Sequence, residues 1–356
     1  MPAQALRRLP RRALDPAFAL AAAQVADGTV PFVILGIADA AGTIRLESFG
    51  PSVGPRIGVD AVCLLASITK PIVATAVMHE VEAGRLDLAQ PLVAWLPELA
   101  DTGALPYTAW HVLTHTSGIG DVDVEALLLD GRGRDELVRR TMALPQSTAP
   151  GSTFRYATAP FDILAEALSR RLGRPLEDVL RDDVLESLGM TDTAFVPGPD
   201  AVPRLAPVAV DLPALAGIPA SALIAGYTGL RMAGGGLWST AADVLRFGRA
   251  MLGGGELDGR RVLSPAFIEL MTREVTVDGL GAAEDVQRAE HYAIGWNKPG
   301  IASPASDSSF GHGGATGTRL LVDPAHDLVF LYLTGVWEMG HEPINAVQHA
   351  VYAALP

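Results

Sequence analysis

Residues 66–78 read ASITKPIVATAVM, and the lysine among them decides how the rest of the chain is understood. The 27 basic residues include only two lysines, Lys70 and Lys298. Lysine is therefore almost never used here as ordinary surface charge. Lys70 nevertheless opens a run so apolar that it predicts a buried helix from about Ser67 to Ala83, stopped by Gly84. An ammonium buried there is costly unless it is paired or has lost its proton. Ser67 lies three residues earlier, which puts both side chains on one helix face with Cβ atoms roughly 5–6 Å apart. At a helix start, free N–H groups and the macrodipole favour a developing negative charge. A serine hydroxyl needs a base to become a nucleophile, and a desolvated lysine can be that base. A capping serine beside a snorkelling lysine is the structural alternative, and it leaves the lysine unexplained.

The composition sets the outer bounds. With 356 residues, 49% hydrophobic and 19% charged, the chain can bury a large core as one big domain or two intimate ones. Its net charge of -13 argues against a nucleic-acid or anionic-membrane partner, either of which calls for clustered cations. The basic cluster Arg7, Arg8, Arg11 and Arg12 lacks the apolar stretch of a signal peptide, and no run of about 18 apolar residues suggests a membrane span. A cytoplasmic protein is the expectation. The single Cys63 excludes an intrachain disulfide and reads as a small buried hydrophobe.

Along the chain, a helix near 15 to 27 precedes PFVILGIADA and TIRLESFG, two strand-like runs joined by Ala41-Gly42 as a hairpin. From about 105 to 230 short helices such as DELVRRTMAL and APFDILAEALSRRLG alternate with Pro and Gly loops. GGGLWSTAADVLRFGRAML then gives another amphipathic helix, TRLLVDPAHDLVFLYLTG two strands around a turn, and HEPINAVQHAVYAAL a closing helix. Strands at both ends with a helical middle predict an α+β architecture. Its antiparallel sheet would be built from 1–104 and 231–356 as one discontinuous α/β domain. A mostly helical domain, 105–230, would be inserted between them, with the active site in the cleft.

Several patterns invite other readings. Gly50-Pro51-Ser52-Val53-Gly54 matches G-x-S-x-G as text, but Pro55 and Gly58 oppose the helix that a nucleophile elbow needs, so a loop is expected. His111 and His115, four apart, lack the glutamate of a metal-binding helix, and no metal is expected. A triad from His312 with Asp323 or Asp327 has no geometric support in the sequence. The triple glycines at 234–236 and 253–255 match no phosphate or dinucleotide loop and read as turns, so no cofactor is expected. Trp238, Trp296 and Trp337 suit either an acyl pocket or the core.

Taken in order, ASITKPIVATAVMHEVEAGRLDLAQPL, WHVLTHTSGI, PGSTFRYATAPFDILAEAL, GGGLWSTAADVLRFGRAML and YAIGW carry a resemblance from about residue 15 to the C-terminus. The sequence resembles the serine β-lactamase and penicillin-binding-protein superfamily, in the class C β-lactamase-related branch that includes family VIII carboxylesterases. The resemblance implies the β-lactamase/DD-peptidase-like fold and catalysis through a Ser67 acyl-enzyme with Lys70 and Tyr156 as the base system. The oxyanion hole would be the backbone N–H groups of Ser67 and Ala315. Tyr156-Ala157-Thr158 stands where the family has Tyr-x-Asn, and His312-Gly313-Gly314 where it has Lys-Thr-Gly; Thr158, His312, Gly313 and Gly314 are the implied substrate-binding positions. Losing that asparagine and that lysine weakens the case for penicillin or peptidoglycan and favours a small-molecule ester or amide, best a carboxylic ester. β-Lactamase, D-amino-acid peptidase or acyltransferase activity are the enzymatic alternatives, and a non-catalytic penicillin-binding-like protein is the alternative of another class. Neither the acyl and alcohol parts nor the oligomeric state can be read from the residues.

Overall fold

The computed structural model describes residues 9–50, 57–210, 215, 217–275, 281–282, 291–300 and 303–356. An opening helix, α1 (Asp15–Ala26), leads into the hairpin β1 (Val33–Asp39) and β2 (Gly42–Phe49). The helix α2 (Thr69–Glu82) follows a single 3-10 turn, Ala66–Ile68. Helices α3 (Pro160–Leu172) and α4 (Ala241–Leu252) follow farther along, and the chain ends with β3 (Phe310–Gly314), β4 (Thr318–Asp323), β5 (Leu328–Leu333) and α5 (Glu342–Tyr352). Residues 51–55 of the G-x-S-x-G stretch and its flank lie outside the described residues.

The five strands form one antiparallel sheet in the order β2-β1-β5-β4-β3, so strands from the two ends of the chain meet at β1 and β5. Ile34 faces Leu333 and Gly36 faces Leu331 across that seam, and Leu320 is opposite both Leu331 and His312 on the other side. β5 is buried along its whole length because both faces are covered, and it accordingly reads as a continuous apolar run, LVFLYL. On one face Leu35, Ile37, Phe330 and Tyr332 pack with Phe18 of α1 and Val347 of α5. On the other, Ile34, Val329 and Leu331 pack with Val244, Leu245 and Phe247 of α4. Glycine at 248 permits that approach, since a Cβ there would sit 2.6 Å from Val329 Cγ1. Helices cover both faces of an antiparallel sheet built from the two ends of the chain, the α+β architecture expected from the order of the elements.

α2 is buried nearly all round, as a helix without a polar face must be. Its polar members are satisfied within the protein. Thr75 Oγ1 donates to the Pro71 carbonyl at 2.8 Å, and Thr69 Oγ1 accepts from Leu237 N at 3.1 Å. Pro71 stands in the first turn, where a missing N–H costs nothing. Among the described residues no helix is long and apolar enough to cross a membrane. Cys63 is buried, and burial alone pushes its thiol up to about 12, in keeping with a small hydrophobe.

Candidate active site

Ser67 lies in the 3-10 turn at the head of α2, one residue after Ala66, whose φ of 48° puts a non-glycine residue in the left-handed region. Lys70 is fully buried one turn later. Its Nζ lies 3.1 Å from Ser67 Oγ, 3.1 Å from Thr158 Oγ1 and 2.8 Å from the Gly234 carbonyl oxygen. It also sits 4.7 Å from the centre of the Tyr156 ring. Burial drives the Lys70 amine down to about 7, while the negative charges of Asp121 and Asp162 pull the other way. A neutral amine has two N–H groups and one lone pair. The Gly234 carbonyl can only accept, so one N–H is committed to it. Donation of the second to Thr158 Oγ1 aims the lone pair at the Ser67 hydroxyl.

The partners of Lys70 are held in turn. Asp121 Oδ1 accepts from the N–H groups of Thr158 at 2.6 Å and Ala159 at 2.7 Å, fixing the segment that enters α3. Asp162, buried on α3, accepts from Ala233 N at 2.8 Å and Arg134 Nη1 at 3.2 Å, which pins the loop presenting Gly234. Burial raises the Asp162 carboxyl to about 6 against the pull of Arg134. The 234–236 glycines do make a turn, but Gly234 also supplies a ligand atom to Lys70, and Gly235 lines the neighbouring cavity. Asp121, Asp162 and Arg134 carry no motif that would have singled them out in the sequence.

Tyr156 packs its ring on His115, with centroids 4.4 Å apart, in a cluster that includes Phe154, Phe161, Tyr292 and His312. His115 Nδ1 accepts from Ala157 N at 3.2 Å, so it holds the Tyr156–Thr158 backbone, whereas His111 Nδ1 accepts from Thr108 N at 3.1 Å. The two histidines are thus tied into different local structures. His312 is buried on β3, with Nε2 3.2 Å from the Tyr292 hydroxyl and Nδ1 2.6 Å from the Gly313 carbonyl. Desolvation and the nearby Lys70 hold its ring neutral, at about 3. Asp323 bonds Ser306, His326 and Tyr352 instead, so it is not the third member of a triad on His312.

The turn from β3 to β4 carries Ala315 and is stitched to the serine segment. Thr316 Oγ1 donates to the Leu64 carbonyl at 2.8 Å and Thr318 Oγ1 to the Leu65 carbonyl at 2.9 Å. Glu338, left-handed at φ 56°, donates its N–H to the Ala315 carbonyl at 2.6 Å. Ser67, Thr158 and Ala315 share the wall of one cavity of about 410 Å³ with Tyr227, Trp238 and Trp337. His312, Gly313 and Gly314 do not line that cavity. Trp296 is a core residue stacked on Phe247, 5.8 Å between centroids.

Comparison with known proteins places the chain among relatives of known family. Protein Rv1367c of Mycobacterium tuberculosis is 34% identical over 329 residues, covering 77% of each chain. Esterase EstB of Burkholderia gladioli is 32% identical over 341 residues, covering 83% of each. The crystal structure of a family VIII carboxylesterase superposes with a TM-score of 0.77 at 22% identity, over 99% of both chains. The Beta-lactamase family model matches residues 18–353. The chain belongs to the beta-lactamase family.

Proposed function

We propose that the protein is a serine hydrolase of carboxylic esters that works through an acyl-enzyme on Ser67. The observation that carries this reading is the coordination of Lys70. A buried amine near neutrality, with a carbonyl and a hydroxyl to take its two N–H groups, leaves its lone pair for the Ser67 proton. Ser67 Oγ then attacks the ester carbonyl carbon as its proton passes to Lys70, and the carbonyl oxygen becomes an oxyanion facing the N–H groups of Ser67 and Ala315. One such donor is typically worth about 10²- to 10³-fold in rate. The C–O bond to the alcohol breaks, the Tyr156 hydroxyl delivers a proton to the departing oxygen, and Lys70 restores the Tyr156 proton. Water, giving its proton to the same pair, releases the acid and regenerates Ser67.

The cavity draws residues from all three stretches of the chain, Leu64 and Ser67, then Asp121, Val208 and Tyr227, then Gly235, Ala315 and Trp337. This supports a site in the cleft between a sheet unit, 1–104 with 231–356, and a helical unit, 105–230. Esters are favoured over penicillins because neutral His312 stands in place of a carboxylate-reading lysine. Thr158 contacts Lys70 and the cavity, while the strand 312–314 positions Ala315. The relative Esterase EstB, an esterase by name, points the same way.

The test is intact-protein mass spectrometry after a fluorophosphonate and, separately, p-nitrophenyl butyrate, with Ser67→Ala alongside. A Ser67-dependent adduct with release of p-nitrophenol is expected. A folded wild-type protein that forms no adduct would return the chain to the non-catalytic reading.

A further inference from the structure

The walls of the cavity carry a charge pattern that the acyl-enzyme reading does not use. Asp121, Asp123, Glu125 and Glu338 line it, and among the described residues no lysine, arginine or histidine does. Asp121 and Asp123 have structural duties, holding Thr158 and Ala159 in one case and capping a short helix through Ala126 N at 2.9 Å in the other. Among the described residues the carboxylates of Glu125 and Glu338 have no such duties and neither pairs with a cation. Elsewhere arginines neutralise carboxylates readily, as at Glu98, Glu136 and Asp182. Arg155, beside Gly120, donates to Ser147 Oγ at 3.4 Å rather than to any of the four.

Carboxylates of one sign around a concavity raise the local concentration of cations within it. The same wall carries aromatic rings: Trp337 and Tyr227 pack edge to face, 5.9 Å between centroids, and both border the cavity. Aromatic rings beside carboxylates attract an ammonium group by charge and by ring quadrupole together. Val208, Val210, Leu215, Leu223 and Ile224 add a hydrocarbon portion to the lining.

Resting on the ester-hydrolase reading, we propose that the preferred substrates carry an ammonium group, quaternary or primary, beside an apolar portion, with Glu125 and Glu338 as the residues that select it. Anionic substrates are disfavoured by the same wall.

The experiment compares butyrylcholine with 3,3-dimethylbutyl butyrate, which has the same shape with carbon in place of the charged nitrogen; p-nitrophenyl butyrate serves as the neutral control. The expected kcat/KM ratio is about tenfold or more in favour of the cation at low ionic strength, shrinking as salt rises through about 0.3 M. In the double variant Glu125→Gln/Glu338→Gln, checked for an unchanged melting curve, the ratio should collapse towards one. A ratio near one in the wild type, or one that neither salt nor the double variant moves, overturns the proposal. If folded wild type fails even on p-nitrophenyl butyrate, the ester reading is what falls. Calorimetric titration of Ser67→Ala with the same two butyrates then decides the cation preference, tighter binding of butyrylcholine upholding it and equal binding overturning it.

Discussion

Lys70 Nζ and the Gly234 carbonyl oxygen are 2.8 Å apart, the shortest of the three contacts that Nζ makes with Ser67, Thr158 and Gly234. A carbonyl offers nothing to a lone pair, so this contact orients the amine in either protonation state. It also explains why a loop more than 160 residues away in sequence matters to the head of α2.

Burial of Lys70 should be visible in the stability of the protein as a function of pH. Its folded value, about 7, lies below the ordinary 10.5, so the unfolded chain binds the proton more tightly. Stability is therefore lost as pH falls from about 10.5 to 7, by about 1.4 kcal/mol per pH unit, and the loss levels off below 7. Lys70→Met fills a similar volume without the charge. Denaturant titrations should show the variant gaining on the wild type across that window. Parallel curves would mean that the amine stays charged in the folded state.

The acid limb of the ester-hydrolysis profile should sit near pH 7, because protonated Lys70 cannot take the Ser67 proton. Asp121→Asn keeps the oxygen that accepts from Thr158 and Ala159 but removes a negative charge that favours the ammonium. The limb of kcat/KM should move to lower pH. An unmoved limb would separate it from Lys70.

Tyr156→Phe retains the ring that packs on His115 and faces Lys70, and loses only the hydroxyl. We expect kcat to fall by about 10²- to 10⁴-fold with the melting temperature nearly unchanged. Activity within threefold of wild type would leave proton delivery to Lys70 or water.

Gly314→Ala tests the stitching beside Ala315. A Cβ there would meet Thr318 Oγ1 at 2.2 Å and the Leu65 carbonyl oxygen at 2.4 Å, so β3 has to separate from the serine segment. Both thermal stability and turnover should fall, the latter by at least about 10²-fold, as expected for a displaced oxyanion donor. Wild-type kinetics in a folded variant would show that Ala315 is not one.

Much of this was legible because local chemistry stood out against composition. A lysine in a chain of arginines, in an apolar run, marked α2 and its serine, and the hairpin and closing helix followed from periodicity. What the sequence hid were partners defined only by folding. Asp121 and Asp162 look like ordinary surface acids, and Gly234 contributes through its backbone, which no side-chain pattern can announce. His312-Gly313-Gly314 carries no strand pattern of its own, yet it is the end of β3, paired with β4 through Leu320 opposite His312. Its imidazole turns to Tyr292, a partner that only the folded sheet brings within reach.

Three non-glycine residues with left-handed backbones, Ala66, His115 and Glu338, touch the machinery at the serine, the tyrosine segment and the Ala315 turn. Each conformation carries a strain of about 1–3 kcal/mol. Glycine at Ala66 or Glu338 would relieve it with little packing lost, whereas at His115 the lost ring contacts outweigh the relief, so a search for heat-resistant variants should find the first two positions readily. Such gains would come from loosening the parts whose fixed orientation the reaction depends on, and hardier variants of this kind should turn over more slowly at ordinary temperature.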